Sequence, residues 1–152
     1  MKKGKSLKIL FLYPNLNMSA LVPYAISILS AVLKKDGFKN IDLFDSTFYQ
    51  LPEETMMERG VKLGQFKPFN FKDRNVVIKN TDMYEDFSIK VAQMEPDLIA
   101  ASIVEDTYPI FLKFMDVIKD KKITTVVGGP FPTNAPEVIS LSGSIDFICK
   151  GD

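Results

Sequence analysis

Five short apolar runs, each but the last followed by a stretch that carries the spacing of a helix, constrain this chain more than any other feature. The first, residues 7–13, is almost unbroken in its apolar character. A run of that kind belongs to a strand buried on both faces, as in a parallel sheet. Residues 40–44, ending at Asp45, form a second run, and residues 98–103, 123–127 and 145–149 complete the set. Between them, residues 19–35 place Val22, Ala25, Ile26, Leu29, Val32 and Leu33 on one helical face, with Ser19 as N-cap, Pro23 in the first turn and Gly37 closing the helix. Residues 82–95 turn Tyr84, Phe87, Val91 and Met94 inward, and Asp82, Glu85 and Asp86 suit the positive end of that helix. Residues 107–119 turn Phe111, Phe114, Met115 and Ile118 inward, and residues 136–141 make a short helix that stops at Gly143. Strand–helix alternation of this kind predicts an α/β fold with right-handed crossovers. A chain that starts on a central strand predicts the flavodoxin-like, doubly wound order 2-1-3-4-5, with helices on both faces. The whole, residues 1–152, reads as one domain.

Residues 46–80 interrupt the pattern. They carry Pro52, Gly60, Gly64 and Pro68 among the aromatic residues Phe48, Tyr49, Phe66, Phe69 and Phe71, with a short helix over 53–63. Irregular connections of more than about 15 residues are uncommon in compact domains and usually serve a function. The segment reads as an insertion that covers a ligand face or a neighbouring domain.

The counts exclude several chemistries. The 152 residues contain no His and one Cys, Cys149. Histidine-assisted nucleophiles, His-ligated zinc, internal disulfides and four-Cys clusters are therefore beyond this chain. Nineteen basic and nineteen acidic residues balance to zero, which predicts no bulk attraction to nucleic acid or to an anionic membrane. No apolar run reaches the roughly 18–20 residues of a membrane span. The basic start, Met1-Lys2-Lys3-Gly4-Lys5, leads into an apolar stretch too short for a signal peptide, so a cytoplasmic location is expected.

Ligands of open α/β sheets sit at the carboxyl ends of the strands, near the point where the winding reverses. Those ends carry Asn15 and Asn17 after the first strand, and Ser102, Val104, Glu105, Thr107 and Tyr108 after the third. Gly128, Gly129, Pro130, Phe131 and Thr133 follow the fourth, and Gly151 the fifth. Adjacent glycines at a strand end suit a tight turn or the close approach of a ligand. Gly129→Val is accordingly expected to block a ligand without disturbing the fold. No phosphate-loop pattern is present. Asp45, Glu105, Asp106 and Asp152 read as a solvated rim rather than a phosphoryl-acceptor site, since Ser102 stands where such a site needs Asp. Tyr108 and Phe131 have the shape to stack on a planar ligand.

The segment Val126-Val127-Gly128-Gly129-Pro130-Phe131-Pro132-Thr133, then Pro136-Glu137, Ile145-Asp146-Phe147-Ile148 and Gly151-Asp152, resembles the N-terminal cobalamin-binding domain of cobalamin-dependent radical SAM enzymes. That family reads G-G-P-H-P-T, P-E and V-D-x-V-V-x-G-E. Lys8 to Pro14, the stretch from Tyr24 to Gly37, Pro96-Asp97-Leu98-Ile99, Ser102, Thr107 and Tyr108 match its earlier motifs. The resemblance implies a bound cobalamin, held at the carboxyl edge by the residues named above. Asn15, Asn17 and Ala20 stand where the wider cobalamin family has Asp, His and Gly, so it also implies cobalt without a protein imidazole beneath it. Phe131 replaces the family's usual His and Asp152 its Glu. The iron–sulfur cluster and S-adenosylmethionine would belong to a C-terminal radical SAM domain that this chain lacks, in a parent methyltransferase or tetrapyrrole oxidative cyclase-like enzyme. The alternative is a flavodoxin-like regulatory or interaction domain that no longer binds a cofactor.

Overall fold

In the computed structural model the described residues are 4–15, 22–50, 54, 56–67, 73 and 75–151. The chain opens, after a short turn at Gly4–Ser6, with β1 (Lys8–Tyr13). Ile9 and Phe11 of this strand point to one side and Leu10 and Leu12 to the other, and all four are buried. Its doubly apolar sequence therefore dictates a central position. β2 (Asn40–Asp45), β3 (Leu98–Ser102), β4 (Thr124–Gly128) and β5 (Phe147–Ile148) join it in a wholly parallel sheet of order β2-β1-β3-β4-β5. This is the α/β, flavodoxin-like winding that the alternation predicts.

Six helices connect the strands among the described residues: α1 (Tyr24–Lys35), α2 (Met56–Lys62), α3 (Met83–Met94), α4 (Tyr108–Asp116), α5 (Pro130–Asn134) and α6 (Pro136–Ser140). α3 and α4 cover one face of the sheet. Phe87 and Val91 from α3 and Phe111, Phe114 and Met115 from α4 pack with Leu10, Leu12, Ile99 and Val127, and Ile139 of α6 joins them. Phe44, Phe87 and Phe114 meet edge to face at 5.0–5.6 Å between ring centres, an arrangement that adds to simple burial. α3 begins where its sequence asks. Asp82 caps it by accepting from the backbone N–H groups of Tyr84 (2.7 Å) and Glu85 (3.1 Å). None of these helices is long and apolar enough to cross a membrane.

The opposite face carries α1, and here the sequence reading needs correction. α1 begins at Tyr24 with Pro23 in the cap position, and the expected cap, Ser19, lies outside the described residues. Of its predicted inward face only Ile26 is fully buried and Leu33 partly so. Val22, Leu29 and Val32 are 48%, 51% and 60% exposed. The helical period is real, but one helix over β1 meets too little sheet to cover so wide an apolar arc. β5 is also shorter than the run 145–149, and α5 is a helical turn where a plain loop was expected.

The insertion is closed at its root. Tyr49 and Lys79 pair as an isolated parallel bridge, with N–H···O distances of 2.8 Å (Lys79 to Phe48) and 2.9 Å (Gln50 to Lys79). Tyr49 is 2% exposed, and its hydroxyl donates to Asp86 at 2.8 Å while accepting from the Lys79 ammonium at 3.1 Å. Thr81 also donates to Asp86, at 2.7 Å. The hydroxyls of Thr81 and Tyr49 hold the Asp86 carboxyl below its ordinary value, while burial and the nearby Asp86 raise the Tyr49 phenol. A carboxyl with a depressed folded pKa stabilises the fold above its unfolded pKa and loses that effect as pH falls through the folded one. Tyr49→Phe is expected to cost about 1 kcal/mol at neutral pH. The gap from the native chain should narrow below pH 4 as Asp86 protonates, as followed by urea denaturation across a pH series.

Candidate functional site

The reversal of winding falls between β1 and β3, whose neighbours run outward in opposite directions. A cavity of about 350 Å³ opens there, at the carboxyl ends of these strands and beside the start of α1. β1 and its following turn supply Tyr13, Pro14 and Asn15; α1 supplies Tyr24, Ala25 and Ile26; and the end of β3 with its turn supplies Ser102, Val104, Asp106 and Thr107. The walls are mainly apolar, with a few polar groups turned inward, as small-molecule sites generally are.

Each polar group has a different freedom. Asn15 is buried and committed. Its backbone N–H donates to the Ser46 hydroxyl (2.8 Å), its side-chain amide donates to the Thr47 hydroxyl (2.9 Å), and its carbonyl accepts from Ser46 (2.9 Å). Asn15 thus ties the loop after β1 to the loop after β2, and forms a wall rather than a hand. Thr107 is likewise engaged, closing the turn against the backbone of Val104 at 3.1 Å in each direction. Ser102 differs. It is half-buried in the cavity wall, and among the described residues its hydroxyl has no hydrogen-bond partner. Burial first, and then the charge of Asp45, push the Tyr13 phenol above its ordinary value, so it presents a neutral hydroxyl at physiological pH.

The two glycines have separate duties. Gly128 is the register partner of Ser102 across β3 and β4. A Cβ there would meet the Cys149 Cβ at 3.4 Å, an ordinary contact, so the position is open on the α1 side. Gly129 has φ of +107°, and a Cβ would lie 2.8 Å from the Ile103 carbonyl oxygen and 3.0 Å from Ser102 Oγ. Here glycine is required by the backbone itself. The expectation that Gly129→Val would spare the fold is therefore wrong, whereas Gly128 has room for a Cβ.

The remaining predicted residues divide. Val104 lines the cavity and is partly exposed, whereas Glu105 sits exposed in the turn Glu105–Thr107. Tyr108 and Phe131 meet each other at a tilt of 57°, 5.3 Å between ring centres, and pack against the core on the α4 side of the sheet, away from the cavity. Pro130 is an exposed first residue of α5. Thr133 donates to the Gly129 carbonyl (2.9 Å) and accepts from the Gly151 N–H (3.3 Å), joining the turns after β4 and β5. Asn17 and Asp152 lie outside the described residues. No group of three or more acidic or sulfur ligands is gathered for a metal ion among the described residues. The insertion contributes nothing to the cavity lining that is described. Tyr13, Tyr24, Ala25 and Ile26 were missed as site residues, and Asp106, read as part of a solvated rim, lines the cavity. Their signal was topological, since the first crossover returns α1 beside the β1–β3 reversal.

No family model, curated protein or solved structure matches the chain.

The glycine geometry predicts opposite results for neighbouring positions. Gly129→Ala should destabilise the fold by about 1–3 kcal/mol. Gly128→Ala should change stability by no more than about 0.5 kcal/mol. Urea midpoints at neutral pH check both.

Proposed function

We propose that the chain is a cobalamin-binding module, working in the cytoplasm beside a radical SAM domain that carries the iron–sulfur cluster and S-adenosylmethionine. The observation that carries this reading is the unpartnered Ser102 hydroxyl in the cavity at the β1–β3 reversal, with Gly128 open beside it in register. A half-buried hydroxyl that no protein group engages is left for water or a ligand to satisfy, and a ligand's hydrogen-bonding group can take that place. The nucleotide tail of cobalamin suits such a slot, being long, partly planar and rich in hydrogen-bonding groups. The motifs around Ser102, Gly128-Gly129-Pro130 and Gly151 point to the same cofactor by resemblance.

In this reading Ser102 donates to or accepts from the buried tail. Tyr13, Ala25 and Ile26 exclude water from one side, and the Asn15–Ser46–Thr47 network fixes the loop after β1 as a rigid wall. Val104 and Glu105 would meet the cofactor at the rim. These 152 residues contain no His, so they would offer the cobalt no imidazole. The cofactor supplies the cobalt chemistry of the parent reaction, a methyl transfer or an oxidative ring closure, while the protein supplies placement and surroundings.

The test uses the purified 152-residue chain with hydroxocobalamin, followed by gel filtration and a visible spectrum of the protein peak. Retained corrin absorbance near one per chain is expected. Gly128→Leu should abolish retention with an unchanged far-UV circular dichroism spectrum. Ser102→Ala should weaken binding about tenfold, the loss of one hydrogen bond. Absence of corrin from the native protein peak at about 100 µM protein, enough to hold a ligand of micromolar Kd, overturns the proposal. So does undiminished retention by Gly128→Leu.

A further inference from the structure

Among the described residues, the face of the sheet that bears α1 is only half covered. Ile9 and Phe11 of β1 are buried beneath that helix, but the same face continues across β3, β4 and β5 through Leu98, Ala100, Val126 and Phe147. Leu98, Ala100 and Val126 are partly exposed and Phe147 is 60% exposed. Parallel sheets are normally buried on both faces, and among the described residues no second layer lies on this strip. Three adjacent strands span about 10 Å, close to the diameter of one α-helix.

α1 has the complementary defect. Its inner side meets β1 through Ile26 and Leu33, while Tyr24 and Ile28 on its outer side are 73% and 64% exposed and Leu29 and Val32 on its flank 51% and 60%. A helix that is apolar nearly all round belongs between two layers. We infer that two copies of this chain pair face to face, with α1 of each copy lying on the bare β3–β5 strip of the other. The two-fold axis then runs along the strands, because only that operation sets each α1 beside its twin and over the opposite strip. The result is an isologous sheet–helix–sheet sandwich with two parallel α1 helices as the shared middle layer.

The area is sufficient. Tyr24, Ile28, Leu29, Val32 and Phe147 leave roughly 600 Å² of side chain exposed per copy, taking about 150–250 Å² for a whole aromatic side chain. A standard interface needs about 800 Å² per partner, of which somewhat over half is apolar. The pairing stands on α1 and the sheet alone and does not depend on cobalamin.

Sedimentation velocity of the native chain at about 5–100 µM, a range bracketing micromolar Kd, should show a species of twice the 17.1 kDa monomer mass. Ile28→Asp on the helix and Phe147→Asp on the strip each replace an exposed side chain, so folding should survive, as circular dichroism will show. Each variant alone should weaken association at least tenfold. Mixed together, they should associate more tightly than either alone, because one of the two helix-on-strip contacts is then wholly native. A native chain that stays monomeric throughout overturns the inference. A dimer indifferent to Phe147→Asp, or variants that fail to complement, overturns the proposed placement.

Discussion

β1 is a strand with no polar face, and that constraint organises the molecule. Ile9 and Phe11 must be covered on one side and Leu10 and Leu12 on the other. A strand so demanding cannot sit at an edge, so β2 and β3 flank it in parallel, and parallel neighbours require crossovers. The first crossover returns along one face as α1, and the later ones along the other as α3 and α4. Where the winding reverses, between β1 and β3, the cavity lies at the strand ends, beside the start of α1. The site is thus a product of topology before it is a product of any particular side chain.

The side chains then decide what the cavity is able to do. Asn15 and Thr107 spend their hydrogen-bonding capacity on the loops that hold them. Ser102 keeps its own, and Gly128 leaves the space next to it clear. Gly129 preserves the turn that sets both in place. Two adjacent glycines and two nearby hydroxyls therefore separate into one member of each kind that the scaffold requires and one that it leaves uncommitted.

Much of the fold was legible because periodicity reports burial directly. The inward faces of α3 and α4, the order of the strands and the cap at Asp82 all follow from residue spacing. α1 misled for an instructive reason. Its period gives a direction of apolarity but not the presence of something to meet it, and no local pattern says how far a sheet face extends beyond one helix. In the site, strand ends identified Ser102, Val104 and Gly128, since topology fixes where those ends lie. Tyr108 and Phe131 were placed with them because aromatic residues near strand ends resemble ligand platforms. Which face of the sheet a loop side chain turns toward depends on backbone angles after the strand, and here the two rings turn toward the core and each other. The commitment of Asn15 to Ser46 and Thr47 joins residues 31 and 32 positions apart, a relation invisible without the fold.

The clasp at Tyr49 and Lys79 bears on how such a chain tolerates its long irregular segment. β1 and β3 are distant in sequence, with the Lys8 N–H reaching Asp97 across 89 positions. Bridging Tyr49 to Lys79 spans 30 of them. Because closure entropy grows only with the logarithm of loop length, the difference between the full loop and the shortened one is about 0.4 kcal/mol. The sheet is therefore nearly indifferent to how many residues lie beyond the clasp. That segment is free to lengthen, shorten or change its sequence over evolutionary time under pressures unrelated to the stability of the domain that carries it.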